Sequence, residues 1–191
     1  MQLGGREVFF RVVGGARSTL FFLDSHHRFI HGWDQQVITV FEDLRHAGIS
    51  KPIVTGDPAP YDPHADPGGR TQVVFRIHLR ERYKRMLFRL IGHEIRNWRQ
   101  LTSPVPANFA SLHFLFADGL FNRELAFDPS IYFFADELTI ALRAFTYRYD
   151  LFHPQERGTE KAGRRSARRT RVVCCNRPMT NASFELMALA G

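Results

Sequence analysis

Residues 18–33 read STLFFLDSHHRFIHGW. Ser18 to Leu23 is a short, aromatic-rich apolar run that stops at Asp24, the pattern of a buried strand delivering its C-terminal end to a polar loop. From Trp33 to Ala47 the apolar positions Trp33, Val37, Val40, Phe41 and Leu44 recur at spacings of three and four, and Gly48 follows. That spacing predicts an amphipathic helix with a glycine stop. Pro52 to Thr55 predicts a second short strand, and Gly56 to Gly69, rich in proline and aspartate, a loop.

Further along, Thr71 to Trp98 fits either a helix or two strands separated by RERYK, and the strand pair is preferred. Thr102 to Pro106 breaks the chain. Asn108 to Phe116 predicts a buried strand ending at Asp118-Gly119. Asp136 to Tyr147 predicts a helix with acids at its start, where the helix dipole favours them, and Tyr149 to Phe152 a last strand. Strands alternating with helices and a hairpin point to an α/β domain with a mixed sheet over residues 1–154. From 155 to 191 the periodicity disappears, and a basic, disordered tail is expected.

The chain has 191 residues, 44% of them apolar and 24% charged, enough for one domain with a sizeable core. No apolar run approaches the roughly 18 residues of a membrane span, and no secretory leader is visible. No membrane association is expected. Cys174 and Cys175 are adjacent, so no disulfide framework or CxxC metal site can be drawn. A cytoplasmic protein is the default expectation. The net charge of +7 is concentrated at the end, with +5 from Glu156 onward and only +2 before it. Charge placed in a patternless tail argues against a nucleic-acid partner.

Chemistry centres on Asp24-Ser25-His26. A carboxylate and an imidazole one residue apart can offer an oxygen and a nitrogen to one divalent ion, and such a pair could hold a metal against a diphosphate. The competing reading is a loop in which Asp24 caps backbone groups. Asp136-Glu137, after the aromatic run IYFF, are either satisfied helix-start acids or the carboxylates that orient an acceptor hydroxyl. His153 becomes functional only if it lies near Asp24 and His26. Trp33 and the cluster Tyr132, Phe133 and Phe134 fit a core better than a sugar platform, and His113 fits a buried histidine.

The blocks LDSHHRFIHGWDQQVI, KPIVTGDPAPYDP and FASLHFLFADGLFNRELAFDPSIYFFADELTIALRAFTYRYDLFHP resemble successive segments of the glycosyltransferase (GlcNAc) family. They are similar to the cytoplasmic N-acetylglucosaminyltransferases that modify hydroxyproline. The resemblance implies a GT-A type nucleotide-sugar fold, UDP-GlcNAc as donor, a divalent metal, manganese for preference, and transfer to a protein hydroxyl with retained anomeric configuration. The implied acceptor is a protein, hydroxyproline-containing in those relatives.

The same resemblance maps Asp24 and His26 onto a D-x-H metal motif and brings in His153, whose HP pair matches the end of the last block, as a further ligand. Asp136 and Glu137 match an acidic pair that in the family follows a glycine; Ala135 stands there in this chain. Ser25, Arg28, Trp33, Asp34, His113 and Arg143 are the implied substrate-binding positions. Only 23 residues precede Asp24, so a partial GT-A fold lacking its N-terminal nucleotide-binding part is expected. The alternative is a catalytically inactive remnant serving as a binding module with a basic tail.

Overall fold

The computed structural model describes residues 8–14, 17–23, 27–29, 32–61, 74–83, 87–128, 130–131, 134–154 and 172–175. In chain order they form strands β1 (Val8–Gly14), β2 (Arg17–Leu23) and β3 (His27–Phe29), helix α1 (Trp33–His46), and strands β4 (Pro52–Thr55) and β5 (Ala59–Tyr61). The hairpin β6 (Phe75–Tyr83) and β7 (Leu87–Glu94) follows, then β8 (Val105–Pro106), β9 (Phe114–Asp118), α2 (Phe121–Glu124), α3 (Phe134–Thr146), β10 (Asp150–His153) and β11 (Val172–Cys175).

A six-stranded sheet runs in the order β1-β2-β9-β4-β10-β8. It is mixed: β4 and β10 are parallel, and the other neighbours are antiparallel. The unbroken apolar runs have a simple cause, because both faces of the central strands are covered and alternate side chains serve opposite faces. Phe21, Leu23, Val54, Phe114 and Phe116 pack with Val37, Phe41 and Leu44 of α1. Phe22, Ile53, Leu115, Ala117 and Leu151 pack with Ile140, Ala141 and Ala144 of α3. Phe21 meets Phe114 edge-on at 5.1 Å, and on the other face Phe22 meets Phe127 at 5.2 Å.

Helix α1 ends as its glycine predicts. Gly48 adopts φ 95°, its N–H donates to the Arg45 carbonyl at 2.9 Å, and the Ile49 N–H donates to that of Leu44 at 3.1 Å. This is the left-handed C-terminal cap that favours a residue without Cβ. Helix α3 ends with the same pair of bonds, Arg148 N–H to Phe145 and Tyr149 N–H to Ala144, but the left-handed position is held by Arg148 at φ 62°.

Several expectations shift. Strand β9 begins only at Phe114, because the preceding turn is held by side chains described below. Strand β1, not anticipated, pairs along all seven residues with β2. Of the apolar positions that mark α3 in the sequence, Leu138, Ile140, Ala141, Leu142 and Phe145, two lie outside the core: Leu142 and Phe145 are 61% and 79% exposed. The disordered-tail expectation is corrected at residues 172–175: β11 pairs antiparallel with β3 and parallel with β5. It joins the segment that follows β2 to the segment that follows β4. The rest of the 155–191 tail lies outside the described residues, as does the loop from 62 onward.

Candidate active site

Strand β9 is antiparallel to both β2 and β4, and β4 is parallel to β10, so three C-terminal strand ends share one edge with the start of β9. The carboxyl edge of an open α/β sheet is where ligands bind. Asp24, Ser25 and His26 follow β2 directly in sequence, and they lie outside the described residues.

The turn at the start of β9 is built by buried polar groups. The Thr55 hydroxyl, at the end of β4, accepts from the Ser111 N–H at 2.9 Å and lies 3.0 Å from the Phe114 carbonyl and 3.2 Å from that of Ser111. Across the same turn, Glu137 Oε1 accepts the Leu112 N–H at 2.8 Å and the Ser111 hydroxyl at 3.2 Å. One oxygen of Glu137 therefore staples the start of α3 to the start of β9. Asp136 Oδ1 accepts the Glu137 N–H at 2.7 Å.

The stapled turn presents His113. Its ring centroid lies 6.5 Å from that of His27, the first residue of β3. Burial pushes the Glu137 carboxyl up, with the nearby Asp136 adding to it, while His113 and the hydrogen bonds from Leu112 and Ser111 pull it down. The Asp57 carboxyl, two residues past β4, is likewise pushed up by burial and pulled down by His113. An imidazole thus stands within electrostatic reach of two partly desolvated carboxyls, the kind of grouping that acid–base and hydroxyl-binding sites use.

Asp57 was missed by the sequence reading, although the logic that selected Asp24, a carboxylate just past a buried strand, applies equally to T-G-D after β4. Ser111, buried within FASLHF, gave no separate signal.

The remaining residues divide. Trp33 is half-buried, stacked on Phe21 at 5.0 Å and against Phe29 at 4.2 Å, so it packs against the core beneath α1. Asp34 sits in the first turn of α1. Arg28 is paired through its backbone in β3, and its side chain lies outside the description, as do Tyr132 and Phe133. Arg143 lies about 9 Å along α3 from Glu137, and its guanidinium donates to the Ala126 carbonyl. That bond anchors the stretch before α3.

His153 is corrected. Its ring is fully buried, Nδ1 lies 3.0 Å from the Thr55 carbonyl oxygen, and Nε2 accepts the Ile77 N–H at 3.3 Å. With one nitrogen donating and the other accepting, no lone pair remains for an ion. Burial, against the pull of Thr55, lowers its pKa to about 4, which keeps the ring neutral.

Among the described residues no three His, Cys, Asp or Glu side chains gather closely enough to hold a metal, and no helix is long and apolar enough to cross a membrane. Neither a curated protein nor a solved structure matches the chain. A family model described as Glycosyltransferase (GlcNAc) matches residues 5–170.

Proposed function

Because the chain belongs to the glycosyltransferase (GlcNAc) family, we propose that it transfers GlcNAc from UDP-GlcNAc to a protein hydroxyl with retention, on a GT-A type fold in the cytoplasm. The observation that carries this reading is the convergence at one sheet edge. The ring of His27 lies 6.5 Å from that of His113, and His113 lies within electrostatic reach of Glu137 and Asp57.

Asp24 and His26 are the residues that would hold a divalent ion, manganese by the family resemblance. A carboxylate oxygen with an imidazole nitrogen is a donor set suited to such an ion. The metal would neutralise the diphosphate and stabilise the departing UDP. His153 is not part of that ligand set, for the reason its two backbone partners give.

The chain's own residues do the rest. Glu137 Oε1 is committed to the turn, which fixes the carboxylate and leaves its second oxygen to orient an acceptor hydroxyl. Asp136, beside it in the same helical turn, adds negative charge where positive charge develops at the transferred sugar carbon. No side chain is assigned as nucleophile, in keeping with retention through departure and attack on one face.

The reading is tested by incubating the chain with UDP-GlcNAc, manganese and hydroxyl-bearing peptides, hydroxyproline-containing ones included, and following UDP release and peptide mass. The expected result is chelator-sensitive release with a GlcNAc increment on the peptide. Absence of both with every acceptor, or release unaffected by chelator, contradicts it.

A further inference from the structure

We propose that Asp57 and His113 together form the subsite for the transferred sugar, with the Asp57 carboxylate accepting hydrogen bonds from its hydroxyls. The inference rests on the reading above and adds a residue that neither the family resemblance nor the sequence motifs single out.

Asp57 sits two residues beyond β4, half-buried. Among the described residues no hydrogen bond reaches its carboxylate, and the one group acting on its charge is His113. A carboxylate withdrawn from water without donors is short of hydrogen bonds, and a polyol supplies several at once. The opposite wall is Gly92 of β7, where a methyl group would overlap Asp57 Oδ2. The missing side chain leaves the carboxylate its slot.

Position in the sheet selects the sugar over the rest of the donor. Strands β2 and β4 flank β9, so their ends stand about two strand spacings, or about 10 Å, apart, with His113 between them. A diphosphate held by residues that follow β2 would place its sugar toward the end of β4. There Asp57 and His113 meet it with an acceptor and an imidazole.

The test is calorimetric titration of the chain with UDP-GlcNAc and, separately, with UDP, both with manganese, for the wild type, Asp57→Ala, Asp57→Asn and Gly92→Ala. Loss of a hydrogen bond to a charged group predicts at least about tenfold weaker UDP-GlcNAc binding in Asp57→Ala, with UDP unchanged within about twofold. Asp57→Asn keeps the volume and one acceptor and falls between; Gly92→Ala behaves as Asp57→Ala. Equal weakening of both ligands, or no weakening of either, overturns the sugar subsite while leaving the transferase reading intact. A wild type that binds neither ligand overturns both.

Discussion

The ring of His153, at the end of β10, ties β4 to the hairpin: Nδ1 donates to the Thr55 carbonyl at 3.0 Å while Nε2 receives the Ile77 N–H of β6. A histidine used this way is a structural element of the kind that a metal ligand cannot simultaneously be, and its neutrality is a condition of the fold.

That neutrality has a pH consequence. The His153 pKa is lowered from 6.5 to about 4, so below pH 6.5 the unfolded chain takes up a proton that the native ring refuses. His153 by itself therefore removes about 2 kcal/mol of stability between pH 7 and pH 5, while the Glu137 and Asp57 carboxyls, pushed up by burial, act in the opposite sense. Glu124, whose carboxyl is held low by its Lys51 and Tyr149 hydrogen bonds, adds its loss only below the ordinary carboxylate range. Urea unfolding of the wild type and of His153→Gln at the two pH values checks this, the variant being spared that loss. The same change between pH 7 and pH 5 in the wild type and in His153→Gln would show that the ring is not buried neutral.

Glu137→Gln separates structure from chemistry at the α3 staple. The amide oxygen can still accept from Leu112 and Ser111, so the melting temperature should stay within about 2 °C, while the transfer rate falls about 100-fold or more. Glu137→Ala should in addition cost about 1–3 kcal/mol by orphaning the Leu112 N–H. A Gln variant with undiminished turnover would remove Glu137 from the acceptor's surroundings.

At the end of α3, Arg148 holds a left-handed position that glycine occupies without strain. Arg148→Gly should stabilise the chain by about 1 kcal/mol and raise Tm by about 2–4 °C. A lower Tm would mean that the arginine side chain contributes more than its backbone costs.

Much of this architecture is legible in the amino-acid order, for reasons visible in single residues. Phe21 and Phe22 sit side by side because α1 covers one face of β2 and α3 the other, so an unbroken apolar run correctly signals a central strand. Gly48 announces the end of α1, whereas Arg148 hides the same turn from any rule based on glycine. The hairpin β6–β7 was ambiguous because its alternation is imperfect, and only pairing, Ile77 opposite Gly92, resolves it. β1 and β11 escaped because their partners, Arg17–Leu23 for one and His27–Phe29 with Ala59–Tyr61 for the other, are fixed by tertiary pairing and not by local pattern.

The site was legible in part. Glu137 and His113 were singled out, and the structure brings them together through Ser111 and Leu112, contacts between residues about 25 apart that no local motif encodes. Asp57 and Thr55 stayed hidden because their importance comes from standing across the turn from β9. His153 and Arg143 entered through the family resemblance, as a metal ligand and a substrate-binding position; in the structure the His153 ring bonds to Thr55 and Ile77 and the Arg143 guanidinium to the Ala126 carbonyl, partners that no local pattern announces.

On the proposed reading, Asp24 and His26 jointly hold a divalent ion against the diphosphate of the donor. Calorimetric titration of UDP in the presence of manganese, on the wild-type chain and on the double variant Asp24→Ala with His26→Ala, tests it most directly. The expected result is a chelator-sensitive binding isotherm in the wild type that weakens by at least about tenfold in the variant. The same isotherm in both proteins, with both folded, would contradict it.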